Sequence, residues 1–177
     1  MDSMFDGYPF TFVMNDKDCT SGLLLYAMQY RFKSSKSHHT YIVRVEKYPY
    51  HVYCLKFFDK ANINSKDKYS LKTNTFEPRK ILYTLYHIFL DILKNDDKAS
   101  LFFIGAEDDR DELGEATRRY RIYRRFVSSI VSDRLFLHFR INALSLYILV
   151  NKNTEEKPED LVNKIVEEVT KAYGNNV

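Results

Sequence analysis

The apolar residues change period partway along the chain, and that change limits what the chain can fold into. Up to about residue 60 they alternate. Tyr8, Phe10, Phe12 and Met14 are interleaved with Pro9, Thr11 and Val13. Leu24, Tyr26, Met28, Tyr30 and Phe32 repeat the pattern, as do Tyr41, Val43 and Val45, and His51 to Phe58 follows. Period-two runs separated by polar links such as Lys33–His39, or broken by Pro49, predict an antiparallel meander. Tyr69 to Lys72 adds a possible short fifth strand. Beyond residue 77 the spacing becomes helical. Ile81, Leu82, Leu85, Ile88, Phe89, Ile92 and Leu93 follow it, with Pro78 in the first turn, Thr75 or Glu77 as the cap and an end near Asn95-Asp-Asp97.

The second half alternates between the two kinds of element. Ala99 to Ile104 is a continuous apolar run ending at Gly105, which predicts a strand covered on both faces. A helical segment follows. Arg134–Ile141 and Leu144–Val150 flank Asn142-Ala143 as a hairpin, and Pro158 opens a last amphipathic helix with Gly174 past its end. The predicted fold is α+β: an antiparallel sheet with three main helices, in the order four or five strands, helix, strand, helix, two strands, helix. No linker or composition shift divides the 177 residues, so one domain is expected, with 1–97 and 98–177 as possible halves sharing a core. The expected core comprises Ile81, Leu85, Ile88, Leu101, Phe103, Tyr120, Tyr123, Val127, Leu137, Leu146 and Ile148.

The segment from Gly105 to Val131 carries the sharpest functional signal. It begins acidic, with Glu107, Asp108, Asp109, Asp111, Glu112 and Glu115, and turns basic at Arg118, Arg119, Arg121, Arg124 and Arg125. Leu113, Ala116, Tyr120, Tyr123, Val127 and Ile130 make a buried stripe. At about 100° per residue, Arg118, Arg121 and Arg125 lie together on the opposite side. Two readings compete. A guanidinium ridge matches phosphate in fork geometry and stacks on bases. Alternatively, acids near the start and arginines toward the end complement the helix dipole, with Glu115 pairing to Arg118 or Arg119 and Asp108 or Asp109 capping the helix. A second basic set, Arg31, Arg44 and Lys56, lies on separate strands and fits one sheet face. Interleaved with Tyr and Phe, it suits a single-stranded nucleic acid.

Other chemistry finds little support. The acids lack an Asp-x-Asp-x-Asp-Gly loop and read as a charge cap rather than a metal site. Cys19 and Cys54 have no metal or disulfide spacing. His38, His39, His51, His87 and His138 sit outside any catalytic motif, and no nucleotide loop occurs among only 5 glycines. No catalytic, cofactor or metal residues are therefore assigned. The absence of a signal peptide and of a long apolar run predicts a cytoplasmic protein without a membrane partner. A net charge of +3 does not by itself demand nucleic acid. The 14 Tyr and 13 Phe fit packed sheet edges as well as stacking, so a protein partner or a homo-oligomer is the alternative to a single-stranded nucleic acid.

Several segments resemble a family of uncharacterised bacterial proteins classed as a domain of unknown function. They are Leu55-Lys-Phe57-Phe58-Asp59, Lys80-Ile81-Leu82-Tyr-Thr84 and Phe103-Ile104-Gly105, together with Arg119-Tyr120-Arg121-Ile122-Tyr123. The last is similar to that family's Arg-x-Arg-Leu-Tyr helix signature. The likeness spans roughly residues 50–150. The segment between Gly105 and Arg119 is longer here, and the N-terminal strands match poorly. The resemblance implies the order of elements and no activity. In organisation the chain is also similar to single-stranded nucleic-acid-binding modules of ββββα type, which implies such a ligand by analogy of architecture.

Overall fold

The computed structural model describes residues 6–17, 22–70, 77–107, 111–112 and 116–173. The alternating segments become β1 (Phe10–Asp16), β2 (Tyr26–Lys33), β3 (Thr40–Tyr48) and β4 (Val52–Asp59), each antiparallel to the one before. Then come α1 (Pro78–Asn95), β5 (Ser100–Ile104), α2 (Arg118–Ile130), the hairpin β6 (Phe136–Ile141) and β7 (Leu146–Asn151), and α3 (Pro158–Tyr173). All seven strands form one sheet in the order β1-β2-β3-β4-β5-β7-β6.

Two expectations need correction. The sheet is mixed, because β5 runs parallel to β4. A strand reached through a crossover helix re-enters the sheet from the end where its predecessor began, so α1 makes β5 parallel. Of the possible fifth strand before α1, Tyr69 and Ser70 lie in a turn, while Leu71 and Lys72 fall outside the described residues.

Strand parity sorts the core into two clusters. Tyr30, Phe32, Tyr41, Val43, Tyr53 and Leu149 lie on one face with residues of α1 and α2. Val52, Cys54, Phe102, Ile148 and Val150 lie on the other with Leu161, Ile165 and Val169 of α3. Of the expected core, Ile81, Ile88, Leu101, Tyr120, Leu146 and Ile148 are buried, whereas Leu85, Phe103, Tyr123, Val127 and Leu137 are only partly so.

The helix ends have local causes. Pro78 opens α1 where its missing N–H costs little, and the helix stops at Asn95. Glu77 occupies the cap position without a capping bond. Its carboxylate instead accepts from Tyr8 at 2.5 Å and Ser37 at 2.8 Å, tying the N-terminal segment to α1. Thr75 and Gly174 fall outside the described residues. At the β3–β4 turn, Tyr50 and His51 both take positive φ, 63° and 58°. They belong to a three-residue link, Pro49-Tyr50-His51, between the paired Tyr48 and Val52, and hold left-handed backbone despite their side chains. His51 and Tyr53 then meet Asp96 at 2.8 and 2.7 Å, fastening this hairpin to the end of α1.

Candidate anion-binding surface and an adjoining cleft

The arginine helix starts later than its acidic prelude suggests. Thr117 is its cap, accepting from the Tyr120 N–H at 3.2 Å while its hydroxyl donates to the Gly105 carbonyl at 2.9 Å. One side chain thus both caps α2 and moors it to the end of β5. Gly105 permits the contact: a Cβ there would lie 2.4 Å from the Tyr120 nitrogen. Asp108, Asp109, Leu113 and Glu115 fall outside the described residues, and Ala116 precedes the helix. The Asp111 carboxylate accepts from the Arg118 N–H at 2.8 Å.

This start changes the electrostatic balance. Arg118, Arg119 and Arg121 occupy the beginning of α2, whose last turn holds no basic residue. The N-terminus is the positive end of the helix dipole, so cations there are disfavoured. Helix electrostatics therefore do not account for them. Arg118, Arg121 and Arg125 are exposed on one side of α2, as the 100° spacing predicts. Arg140 joins them from β6, donating to Ser128 Oγ at 3.1 Å and lying 5.8 Å from the centre of the Tyr147 ring. Among the described residues, the arginine ion pairs are those of Arg44. The guanidinium groups of Arg118, Arg121, Arg125 and Arg140 have no carboxylate partner among the described residues. Arg119 points elsewhere, donating to the carbonyls of Tyr69 and Ser70 at 2.8 and 2.5 Å.

The second basic set lies apart from this ridge. Arg44 stands opposite Lys56 and Arg31 opposite Ile42, so all three share a sheet face. It is the face that α3 packs on, whereas α2 packs on the other. Arg31 is exposed. Arg44 donates to Glu46 at 3.1 Å and Asp16 at 3.3 Å, and Lys56 reaches Glu46 at 3.0 Å. Tyr48 also donates to Glu46 at 3.0 Å. Burial pushes the Glu46 carboxyl up, but Lys56, Arg44 and Tyr48 more than offset this and hold it below the usual range. Burial likewise opposes the Lys56 ammonium, and Cys54 and Glu46 more than compensate, so it rises. Arg44 and Lys56 therefore serve an internal ion cluster, and the single basic surface joining the two sets does not form. Burial pushes the Cys54 thiol up to about 12, leaving it an unreactive core residue.

His39, His51 and His138 make contacts within the fold. His39 contacts Asp59, and His138 Nδ1 lies 2.6 Å from the Tyr147 hydroxyl. Burial lowers the His138 imidazole, leaving it neutral at physiological pH. Its Nε2 lies 3.2 Å from Asp133 without making a hydrogen bond. No group of three potential metal ligands occurs among the described residues. No helix among them is long and apolar enough to cross a membrane.

Behind the ridge, on the inner side of α2, lies a cleft of about 850 Å³. It explains why the expected core is incompletely buried, since Leu85, Phe103, Tyr123 and Val127 all line it. The sequence reading missed both the cleft and Arg140. Strand parity carried a signal for Arg140, which shares a face with Phe136 and His138. No signal existed for the cleft, because periodicity tells which way a side chain turns and not whether the facing space is filled.

Comparison with protein-family models, with curated proteins and with solved structures finds no match for this chain.

Proposed function

We propose that the protein is a binding module for an extended polyanion, foremost single-stranded nucleic acid, which docks on the outer face of α2. The observation that carries this reading is the placement of Arg118, Arg121 and Arg125 at and beyond the positive end of the helix, without carboxylate partners among the described residues. Arg118 and Arg121, kept against the local field, fit a role outside the fold, and Arg125 extends their side of the helix. The helix N-terminus adds to the same positive field. Arg140 widens the ridge, and exposed Ile122 beside it offers an apolar contact for a base. Arg31 remains a peripheral candidate on the far face, while Arg44 and Lys56 fall away as ligand contacts because Glu46 and Asp16 together neutralise them.

The test is a fluorescence-anisotropy titration with short DNA and RNA strands at two salt concentrations. Binding that weakens with salt, and that is lost with the three ridge arginines, supports the reading. No binding at low salt defeats it.

A second reading, assembly through protein contact, is favoured by β1. This edge strand exposes Phe12, Val13 and Met14 at 48%, 43% and 48%, with Leu23 and Leu25 also exposed. An apolar strand edge is a template for pairing with another chain. Sedimentation of the parent and of Val13→Lys tests it: a dimer that dissociates in the variant favours assembly.

A further inference from the structure

We propose that the cleft behind α2 binds one amphipathic acid, an apolar body carrying a single carboxylate or phosphate head. The space arises from how two strands part. β4 and β5 pair only over Val52–Cys54 and Ser100–Phe102. Beyond that, β4 continues to Asp59 paired with β3, and β5 to Ile104 paired with β7. The gap opens at the carboxyl ends of a parallel pair, where ligand crevices form in open sheets.

The walls are apolar. Leu85 and Tyr86 of α1, Phe57 and Phe103 of the sheet, and Tyr123 and Val127 of α2 all line the cleft and stay only partly buried. Within α2 only Tyr120 is fully buried. An apolar space left empty costs stability in proportion to its volume. About 850 Å³ lies within the ordinary range for small-molecule sites, roughly 300–1,000 Å³. A helix of ten residues, ~10 Å across and ~15 Å long, displaces on the order of 1,200 Å³, more than the cleft holds. The size therefore favours a small molecule over a partner's helix.

The polar end is equally specific. Arg119 lines the cleft and uses two guanidinium donors on the carbonyls of Tyr69 and Ser70. A guanidinium has five donors, so it can hold this turn and a ligand head together. Its partners are neutral carbonyls, and no carboxylate pairs with it among the described residues. Lys56 and Lys66 also line the space, as do Asp67 and Glu107; Glu46 neutralises Lys56, and Lys66 is exposed next to Asp67, which leaves Arg119 as the part-buried cation for one head group. The Tyr123 hydroxyl has no hydrogen-bond partner among the described residues. Burial pushes it up while the nearby Arg119 charge opposes this, so the two side chains share one environment. A polyanion does not suit a largely apolar cleft whose lining also holds the carboxylates Asp67 and Glu107. This site is therefore separate from the outer ridge of α2.

The experiment displaces 1-anilinonaphthalene-8-sulfonate from the full chain with dodecanoate, dodecyl phosphate or dodecanol, below micelle-forming concentrations. The expected result is one equivalent displaced per chain, with at least one acid binding tenfold or more tighter than the alcohol. The two acid arms distinguish the head groups. Arg119→Gln should erase the preference for acid and leave dodecanol binding unchanged. Val127→Phe should block all three ligands while leaving nucleic-acid binding as in the parent; Leu85→Phe serves if that variant does not fold. Four results would overturn the proposal: no displacement by either acid, equal displacement from both filled variants, an acid preference that survives Arg119→Gln, or dye binding lost on dimerisation of the chain.

Discussion

Replacing Arg118, Arg121 and Arg125 together with Gln should weaken polyanion binding and leave the fold as stable as before, or slightly more so. No ion pair among the described residues is lost. Gln and Arg have similar helix propensity. Arg118 and Arg121 stand in the first turns of α2, where each cation opposes the helix dipole at about 0.3–1 kcal/mol. Screening at an exposed surface brings the net gain to about 0.5–1 kcal/mol. The binding change is larger. Each phosphate contact on a single strand contributes about 0.7 to the slope of log affinity against log salt, so three contribute about 2. Between about 50 and about 200 mM salt, that is a difference of about 20-fold in how steeply parent and variant lose affinity. With no Trp in the chain, stability is read from far-UV circular dichroism in urea, and binding from labelled oligonucleotides. Destabilisation by more than about 1 kcal/mol would mean the arginines hold the fold together. An unchanged salt slope would place the phosphate contacts elsewhere.

Glu46→Gln should cost about 2–3 kcal/mol in a urea melt, somewhat below the loss for a fully buried pair because Lys56 and Arg44 keep some exposure. Glu46→Gln with Lys56→Met should recover most of that loss. Gly105→Ala should destabilise by about 1–3 kcal/mol, since its Cβ would meet the Tyr120 nitrogen at 2.4 Å and the Thr117 hydroxyl at 2.6 Å; a variant matching the parent's midpoint would disprove this mooring. The Glu46 and Asp96 carboxyls are both lowered, Asp96 through His51 and Tyr53 against the effect of burial. Their contribution is complete above about pH 5 and disappears as pH falls through and below about 4, so urea midpoints should be flat above this window and drop within it.

Local rules made much of the fold legible. Alternation located β2, β3 and β4, and helical spacing with Pro78 and Pro158 located α1 and α3. The parallel pairing of β5 was not legible, because Val52 meets Ser100 only after α1 has crossed the sheet, and no local pattern records that partner. The start of α2 was misread for a related reason. Acids at 107–112 resemble a helix's first turn, but the cap is decided by the Thr117 hydroxyl, which also bonds to Gly105 twelve residues earlier. Strand parity did place Arg31, Arg44 and Lys56 on a common face. It also placed Glu46 there, two residues from Arg44, and that carboxylate is what converts two of the three cations into an internal cluster.

The misplaced helix start has a consequence for the ridge itself. Had α2 begun among the acids, Arg118 to Arg125 would have fallen toward its middle and end, where the dipole favours them and no ligand need be invoked. With the start at Arg118, Arg118, Arg119 and Arg121 stand at the positive end and face an unfavourable field, while Arg124 and Arg125 lie mid-helix, where the dipole neither favours nor opposes them. Glu107, Asp111 and Glu112 lie outside the helix, and the Asp111 carboxylate accepts from the Arg118 backbone N–H. The inner side of α2 tells a parallel story. Tyr120 is sealed at the end where Thr117 and Gly105 hold the helix, and burial is incomplete at Tyr123, Val127 and Ile130 as α2 runs on. A helix secured by one tight contact at its N-terminus can carry unpaired charge outside and unfilled apolar surface inside, provided the rest of the fold supplies the stability. The buried strands β3, β4 and β7 supply it here.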